Sequence, residues 1–419
     1  MNQTIAEKII SSHSGRTVTA GEIAIVNVDG AMATDATAPF AIQAFEKMGG
    51  QRLWDPDRVS LVIDHAAPAP NERVGNLHQM MRVFSEQFGC RLYDVGQGIC
   101  HQLMVENRHV RPGEIFVGAD SHTPTYGALG ALAVGVGSTD LAAVLLTGQI
   151  WLKVPETIRI ELDGEFPKGV TAKDLILFLV GQLGLSGATY KIVEFSGQAL
   201  HDLSLASRMT IANMSAEMGA KSGLVDPTNL SLPYPFVPVF PDDGAQYSAQ
   251  YRFDVSALQP QVAAPHSPDQ VSAVAEVAGK AVDQAFIGSC TNARLEDLRM
   301  AARILKGKKL HPRVRLIIAP ASKRIFDAAL EDGTAATLSA AGAVFITSGC
   351  GPCVGTHQGV PGDGEVIISS TNRNFRGRMG NRNAAVYLGS PAVVAASALQ
   401  GQIADPVQLL AGEDMEWEL

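Results

Sequence analysis

The chain has 419 residues, 46% of them hydrophobic, which is enough to bury a large core in two or three domains. Lys and Arg number 33 against 42 Asp and Glu, and the resulting net charge of −9 argues against a nucleic-acid partner or an anionic membrane surface. The N-terminus lacks the basic start and apolar centre of a signal peptide, and no uncharged run reaches about 18 apolar residues. We therefore expect a cytoplasmic protein with no membrane partner, in a compartment where free thiols persist.

Helical and strand-like patterns alternate along the chain. Thr4 is placed to cap a first helix that buries Ile5 and Ile9 and stops at Gly15. Apolar runs rich in β-branched residues predict strands at 23–28, 59–63, 91–93, 115–119, 158–162, 190–195, 285–287, 314–319, 342–347 and 366–370. Helices are predicted at 41–48, 71–88, 172–183, 208–218, 294–305, 325–329 and 391–399. This alternation predicts an α/β fold of doubly wound layers with mostly parallel sheets.

Two segments stand outside the alternation. The small apolar run GALGALAVGVG at 127–137 predicts close backbone packing rather than a phosphate-binding loop, because no Gly-x-Gly-x-x-Gly follows a strand directly. The segment 231–247 has four prolines in its first eleven residues but remains apolar. We expect an extended excursion there.

Polar motifs follow several of the predicted strands. They are Asp64-His65, Asp120-Ser121-His122, SCTN at 289–292, GCGPC at 349–353 and NRNFRGR at 372–378. Ligands of doubly wound sheets bind beyond the carboxyl ends of the parallel strands. The motifs therefore predict one site built between domains.

Three cysteines in these motifs, Cys290, Cys350 and Cys353, allow three interpretations. A Cys-x-x-Cys redox site needs a helix that activates the first thiolate, and the Gly- and Pro-rich residues after Cys353 argue against such a helix. A structural zinc site needs a fourth ligand, which would be a distant cysteine or a histidine such as His357. An iron–sulfur cluster held by three cysteines accounts for both the thiols and the Gly-rich loops. The other two cysteines are expected to pack as small buried hydrophobes: Cys90 and Cys100.

The remaining candidates are acids, imidazoles and guanidiniums. A carboxylate beside an imidazole sets its tautomer and pKa, as in the pairs Asp64-His65 and Asp120-x-His122. Asn213 and Glu217 lie four apart in a predicted helix with apolar neighbours, so we expect both to face inward. Arg373, Arg376 and Arg378 follow a buried strand, and two arginines on such a Gly-containing turn suit a bidentate grip on a dicarboxylate.

Together these motifs resemble the signature set of the aconitase superfamily. The motifs GADSHT at 118–123, GSCTN at 288–292, GCGPC at 349–353 and TNRNFRGR at 371–378 occur in that order, and the resemblance covers nearly the whole chain. It implies three doubly wound α/β/α domains around a central cluster cleft, at residues 1–154, 155–281 and 282–419, the last carrying the cluster cysteines.

The resemblance also implies a cofactor and a site. It implies one [4Fe-4S] cluster with three cysteine ligands, Cys290, Cys350 and Cys353. The implied catalytic residues are Asp64, His65, His101, Asp120, His122 and Glu217. The implied substrate-binding residues are Ser121, Asn213, Arg373 and Arg378. Pro39 occupies the place where aconitase proper has a glutamine, which disfavours citrate as the substrate.

The activity implied is that of a hydro-lyase that moves a hydroxyl between adjacent carbons of a 2-hydroxy dicarboxylate. A cluster iron without a protein ligand would act as a Lewis acid, a His–Asp pair would protonate the leaving oxygen, and a serine would remove the α-proton. Nothing after Gly401 is long enough to be the mobile domain that carries this serine in single-chain relatives. We therefore expect a small subunit with that mobile (swivel) domain as partner. An iron-sensing RNA-binding protein would also need this domain, and a basic face.

Overall fold

A computed structural model describes residues 2–410 of the chain. Its first part has an all-parallel five-stranded sheet in the order β4-β3-β2-β5-β6, and an antiparallel ribbon of β1 and β7. The strands are β1 (Ile23–Asn27), β2 (Gly30–Thr34), β3 (Val59–Val62), β4 (Arg91–Tyr93), β5 (Ile115–Gly118), β6 (Leu132–Gly135) and β7 (Gln149–Lys153). The helices are α1 (Ile5–Ser14), α2 (Ala38–Lys47), α3 (Glu72–Phe88), α4 (Cys100–Glu106) and α5 (Ser138–Thr147).

The first helix begins and ends as its sequence predicts. The Thr4 side chain accepts the Glu7 backbone N–H, and the Glu7 carboxylate accepts the Thr4 backbone N–H at 3.0 Å. This reciprocal pair satisfies donors that the first turn leaves without a partner. Gly15 ends α1 with φ +71°, a conformation that glycine adopts without strain.

The second part has an all-parallel four-stranded sheet in the order β10-β9-β8-β11. Its elements are β8 (Thr157–Asp163), α6 (Ala172–Leu183), β9 (Ile192–Ser196), α7 (Leu205–Met214), β10 (Ser222–Val225) and β11 (Ala249–Asp254). Helix α7 packs against a 3₁₀ turn, Thr123–Leu129, that follows β5. A Cβ at Gly127 in that turn would lie 1.7 Å from the Gly223 carbonyl oxygen, which confirms the close backbone packing predicted for this run.

The third part has a seven-stranded sheet in the order β13-β12-β18-β17-β14-β15-β16. Its strands are β12 (Gln261–Ala263), β13 (Val271–Ala273), β14 (Gln284–Ile287), β15 (Arg315–Ile318), β16 (Val344–Phe345), β17 (Val366–Ser369) and β18 (Ala385–Gly389). Its helices are α8 (Val274–Val277), α9 (Leu295–Leu305), α10 (Lys323–Glu331), α11 (Thr334–Ala341), α12 (Gly351–Val354), α13 (Pro391–Gln400) and α14 (Val407–Leu410). The five strands from β18 to β16 are parallel, and β12 is antiparallel to both of its neighbours.

The predicted fold class, α/β with mostly parallel sheets, is confirmed. Strands β12 and β13 lie in the segment assigned to the second domain but pair with the third sheet. The domain boundaries stay a prediction, and residues 411–419 of the third predicted domain lie outside the described residues. Within 2–410, no helix combines the length and the apolar character needed to span a membrane.

Two local predictions were wrong, and a third holds only in part. The run 342–347 was expected to be a buried strand, but only β16 forms, at the sheet edge where it has one partner, and Val344 is 56% exposed. The Gly- and Pro-rich residues after Cys353 were expected not to open a helix, and the helix there does end at Val354, but a single turn, α12, begins directly after Cys350 with Pro352 in its first turn, where a missing N–H is harmless. The helix predicted at 208–218 ends at Met214, and a 3₁₀ turn, Ser215–Met218, follows it.

Candidate active site

The polar motifs at the ends of β3 and β5, in the first sheet, and of β14 and β17, in the third, meet in one place. Asp64 is fully buried just after β3, and its carboxylate accepts the Cys100 backbone N–H at 2.7 Å. Its carbonyl oxygen accepts the Cys350 N–H, also at 2.7 Å, from the third sheet. A Cβ at Gly349 would lie 2.7 Å from this carbonyl, so the two loops approach this closely only because residue 349 is glycine.

Two imidazoles share one carboxylate. His65 lies between two acids, with Nδ1 2.7 Å from Asp64 Oδ1 and Nε2 3.4 Å from Asp120 Oδ2. His101 Nε2 lies 2.8 Å from Asp120 Oδ1, and its Nδ1 lies 3.0 Å from the Tyr126 hydroxyl. Burial opposes charge on His65, but the two carboxylates raise its pKa well above the usual value. Against the same effect of burial, the two histidines hold the pKa of Asp120 well below its usual value.

A second group of hydrogen-bonded side chains links the first sheet to the loop 372–378 after β17, here called the arginine loop. His122 Nε2 lies 2.8 Å from Glu217 Oε1, and Arg373 Nε donates to both Glu217 oxygens at 3.0 Å. Arg373 Nη1 donates to Ser121 Oγ at 3.0 Å. Burial and the Arg373 charge lower the pKa of His122 to about 4, so this ring is neutral at pH 7. Although burial opposes ionisation, His122 and Arg373 lower the pKa of Glu217, which is therefore a carboxylate.

The three cysteines of the motifs are buried among hydrogen-bond donors. Asn213 Nδ2 lies 3.1 Å from Cys290 Sγ, and Asn372 Nδ2 lies 3.4 Å from the same sulfur. Arg378 Nη2 lies 3.7 Å from Cys353 Sγ. Amide and guanidinium N–H groups aimed at sulfur suit thiolates better than neutral thiols. The position of Asn213 and Glu217, both inward-facing, agrees with the prediction even though a 3₁₀ turn carries Glu217.

This donor set fits a metal cluster better than a redox pair. Burial and neighbouring acidic groups raise the pKa of Cys290 to about 12, and burial and Asp64 raise that of Cys350 well above its usual value. A redox cysteine needs the opposite shift. A bound metal cation would have the opposite effect on the thiol pKa, because thiols that coordinate a metal lose their protons. The Nε of Arg378 is buried and has no hydrogen-bond partner within residues 2–410, as expected for a group that faces a ligand.

A single metal ion is a less suitable occupant. The ligand atoms of Asp64, His65 and Cys350 lie within 4.8 Å of one another, the one such group within the described residues. However, Asp64 already accepts hydrogen bonds from the His65 ring and the Cys100 backbone. His357, the histidine considered as a fourth zinc ligand, is not a member of this group.

All the predicted site residues lie in one hydrogen-bonded network. Thr125 joins its two halves, because its hydroxyl accepts the Asn213 N–H at 2.8 Å and donates to the His122 carbonyl at 2.6 Å. Next to Ser121 and Arg373 the network borders a cavity of about 830 Å³ that also reaches Trp151 and Lys221. Its size is that of a site for a small organic ligand.

Sequence reasoning missed residues that support this network. Asp35 accepts the backbone N–H groups of Asp64, His65 and Ala66 at 3.0, 2.7 and 2.9 Å, and so orients the loop after β3. Asp35 lies directly after the apolar run of β2, and the same kind of position after a strand is what identified Asp64 and Asp120. Lys173 gave no such signal. It is fully buried and donates to the Ser370 and Thr371 carbonyls at 2.8 and 2.6 Å, which holds the start of the arginine loop.

An α/β protein with three buried cysteines beside a His–Asp–Glu–Arg network has the features of a hydro-lyase with an iron–sulfur centre. A sequence model described as the aconitase family (aconitate hydratase) matches residues 7–401. The chain belongs to the aconitase family, a family of iron–sulfur hydro-lyases.

Individual relatives match over almost their full length. The chain is 49% identical to a 3-isopropylmalate dehydratase large subunit of Methanopyrus kandleri over 414 residues, covering 97% of this chain and 99% of the relative. It is also 49% identical to the 3-isopropylmalate dehydratase large subunit of Elusimicrobium minutum, covering 98% and 100%. Its identity to the homoaconitase large subunit of Thermus thermophilus is 47%, covering 98% of each chain.

Proposed function

We propose that this chain is the large, cluster-bearing subunit of a hydro-lyase that interconverts 2-isopropylmalate and 3-isopropylmalate by dehydration and rehydration, in leucine biosynthesis. The observation that carries the proposal is the position of three buried thiols beside the His–Asp–Glu–Arg network in a chain with full-length relatives of that name. An alternative within the same chemistry is a homoaconitase, the name of a relative of similar identity. Methylmalate and 2,3-dimethylmalate dehydratases are further alternatives of this kind.

We assign the cofactor site to Cys290, Cys350 and Cys353, which would hold one [4Fe-4S] cluster. When bound, a cluster held by three thiolates supplies a Lewis acid at the iron that lacks a protein ligand. The Asn213 and Asn372 amides would stabilise the negative charge on Cys290 Sγ, from which they lie 3.1 and 3.4 Å.

His65 and His101 are the proposed sources of the proton for the leaving oxygen. With its raised pKa, His65 is an imidazolium that donates from both nitrogens, to Asp64 and to Asp120. The Asp120 carboxylate also orients His101 through Nε2. A charged imidazole held between two carboxylates keeps its proton at pH 7 until an oxygen with developing negative charge approaches.

Arg373 and Arg378 are the proposed binding groups for the substrate carboxylates. Glu217 and Ser121 fix Arg373 through Nε and Nη1, which leaves its remaining N–H groups for a ligand. Arg378 presents a buried Nε without a partner within the described residues. Two oriented guanidiniums bind two carboxylates bidentately, and this fixes the carbon atoms between them relative to the imidazoles.

The partner in this proposal is a small subunit whose mobile domain supplies the serine that removes the α-proton. Relatives that match over their whole length are named large subunits, which supports a two-chain enzyme.

The test is an anaerobic assay of the cluster-reconstituted chain, mixed with its small subunit, against a panel of 2-hydroxy dicarboxylates. We expect the highest kcat/KM for 2-isopropylmalate. Turnover is monitored through the ultraviolet absorbance of the alkene that forms. A higher kcat/KM for homocitrate or for a methylmalate would overturn the substrate assignment and keep the reaction class. No turnover of any member by a cluster-loaded pair would overturn both.

A further inference from the structure

A second cleft lies behind the site, where the three parts of the chain meet. It has a volume of about 480 Å³ and is walled by α4 of the first part, by the start of α7 of the second and by the start of α9 of the third. Further lining comes from the start of α10 and from the proline-rich segment, through Leu232, Pro233 and Tyr234. None of the residues proposed for catalysis lines this cleft.

The lining of the cleft has an apolar part large enough for an aliphatic chain. It consists of Val105, Leu129, Leu205, Met209, Leu232 and Ile325. These side chains come from all three parts of the chain and from the proline-rich segment. Burying methylene groups against them would therefore stabilise a bound aliphatic chain.

The rim of the cleft is positively charged, although the chain as a whole carries a charge of −9. Arg108 and Arg324 are exposed, and neither has an acidic partner within residues 2–410. Arg108 lies over the Tyr234 ring, 5.3 Å from its centroid, which holds the guanidinium at the rim. Two acids also line the cleft, Glu296 and Glu106. Glu296 accepts the Ser204 hydroxyl at 2.9 Å and Glu106 accepts the Ser322 hydroxyl at 2.7 Å, and neither forms an ion pair with Arg108 or Arg324 within the described residues. Two exposed guanidiniums that lack acidic partners, beside an apolar surface, suit a carboxylate with an aliphatic tail.

The cleft is connected to the active site through Arg294, which lines it. Arg294 Nη2 donates to the Cys290 carbonyl and Nη1 to the Thr291 carbonyl, both at 2.7 Å. Its Nε donates to Gln102 Oε1 at 3.2 Å, and Gln102 follows His101 in α4. A ligand that moved Arg294 or Gln102 would therefore displace a cluster cysteine or a proposed catalytic histidine.

We propose that this cleft is an effector site for a small monocarboxylate with a branched or linear aliphatic chain, and that its occupation changes the affinity of the active site for substrate. The carboxylate binds Arg108 and Arg324, and the chain lies against the apolar lining. The binding part of this proposal is independent of the proposed function, and the coupling part requires only that the site already described binds a substrate.

The probe is 4-methylpentanoate, titrated calorimetrically into the anaerobic holoprotein with the active site saturated by a 2-hydroxy dicarboxylate. We expect saturable binding that is weakened about tenfold or more by Arg324→Gln, which removes one of the two charges. Leu232→Asp, in the proline-rich segment, puts a carboxylate on the apolar wall and should abolish binding. Arg303→Gln, an exposed arginine of α9 outside the cleft, is the matched control and should bind like the wild type. The alcohol 4-methylpentanol should not bind measurably.

Three outcomes would overturn the proposal. The first is no saturable binding to the wild type, and the second is equal binding to wild type and Arg324→Gln. The third is binding that disappears when the active site is saturated, which would place the probe there instead. For the coupling, we expect 4-methylpentanoate to change the KM of the wild-type pair at least about threefold and that of Leu232→Asp not at all. Binding with an unchanged KM would overturn the effector role, whereas failure of the proposed substrate would leave the calorimetric result intact.

Discussion

The Asn213 side-chain amide lies 3.1 Å from Cys290 Sγ, so a helix of the second part donates a hydrogen bond to a cysteine of the third. A hydrogen bond to a charged acceptor contributes about 1.5 to 3 kcal/mol. This contact couples retention of a cluster on Cys290 to the position of α7.

Replacing Asn213 with Asp should weaken cluster retention, because the donor becomes a carboxylate facing a thiolate. We expect the visible absorption of the reconstituted protein to decay about tenfold faster or more in the presence of a chelator, under argon. Asn27→Asp is the control, since Asn27 is exposed on β1 and only accepts from Gln149. Equal decay rates for the two variants would show that Asn213 does not stabilise a bound cluster.

Replacing Cys350 with Ser should abolish the cluster, because a hydroxyl is a much poorer iron ligand than a thiolate. Cys90→Ser should leave it intact, since Cys90 is buried in the hydrophobic core around the first sheet. The check is iron and acid-labile sulfide analysis of anaerobic protein. One zinc per chain with no sulfide in the wild type would contradict the cluster.

Replacing Arg378 with Lys should lower kcat/KM about 100-fold or more with an unchanged cluster spectrum. An ammonium group is a point charge and does not reproduce a bidentate guanidinium–carboxylate pair worth about 3 kcal/mol. Arg376→Lys is the matched control in the same loop, because Arg376 is exposed. If both variants turned over at the wild-type rate, Arg378 would not be a substrate ligand.

The isolated chain, with its cluster intact, should bind substrate but not turn it over. Removal of the α-proton needs a positioned base, whose proximity contributes several kcal/mol that free water does not supply. Adding the small subunit should restore activity. The measurement compares turnover by the chain alone with turnover by the mixture, at equal iron content. Comparable rates would falsify the two-chain proposal and indicate a base within these 419 residues.

Replacing Asp35 with Asn should destabilise the protein at neutral pH and much less in acid. Burial opposes ionisation, but the hydrogen bonds from His78 and the loop backbone lower the pKa of Asp35 to about 2. Since the folded-state pKa lies below the usual value of 3.8, the stabilisation, about 2 kcal/mol, is present above pH 4 and is lost as pH falls toward 2. Urea midpoints at pH 7 and about pH 2.5 test this, with the exposed Asp57→Asn as control. A difference between wild type and Asp35→Asn that is the same at both pH values would contradict it.

Local patterns in the sequence were sufficient for most elements and for the position of the motifs. The boundaries of α1 follow from Thr4 and Gly15, because capping depends on neighbouring residues alone. Asp64, Asp120 and Cys290 follow apolar β-branched runs, and parallel strands bring their carboxyl ends to one edge of a sheet. The sequence therefore predicted that these side chains would meet, and its motifs were sufficient to place the chain in its family.

Tertiary structure decided what depends on residues far apart in the chain. Whether 342–347 was a central or an edge strand depended on which strands flank it, and β16 lies at the edge with β15 as its one neighbour. The partners of Asp35 are 29 to 43 residues away, and Arg294, which binds the Cys290 carbonyl, also binds Gln102, 192 residues before it in the chain. Local periodicity carries no information about such pairs, because their geometry is set by how whole sheets pack against one another. The carboxylates around His65, the burial of His122 beside Arg373, and the cleft behind the site exist only in the folded chain.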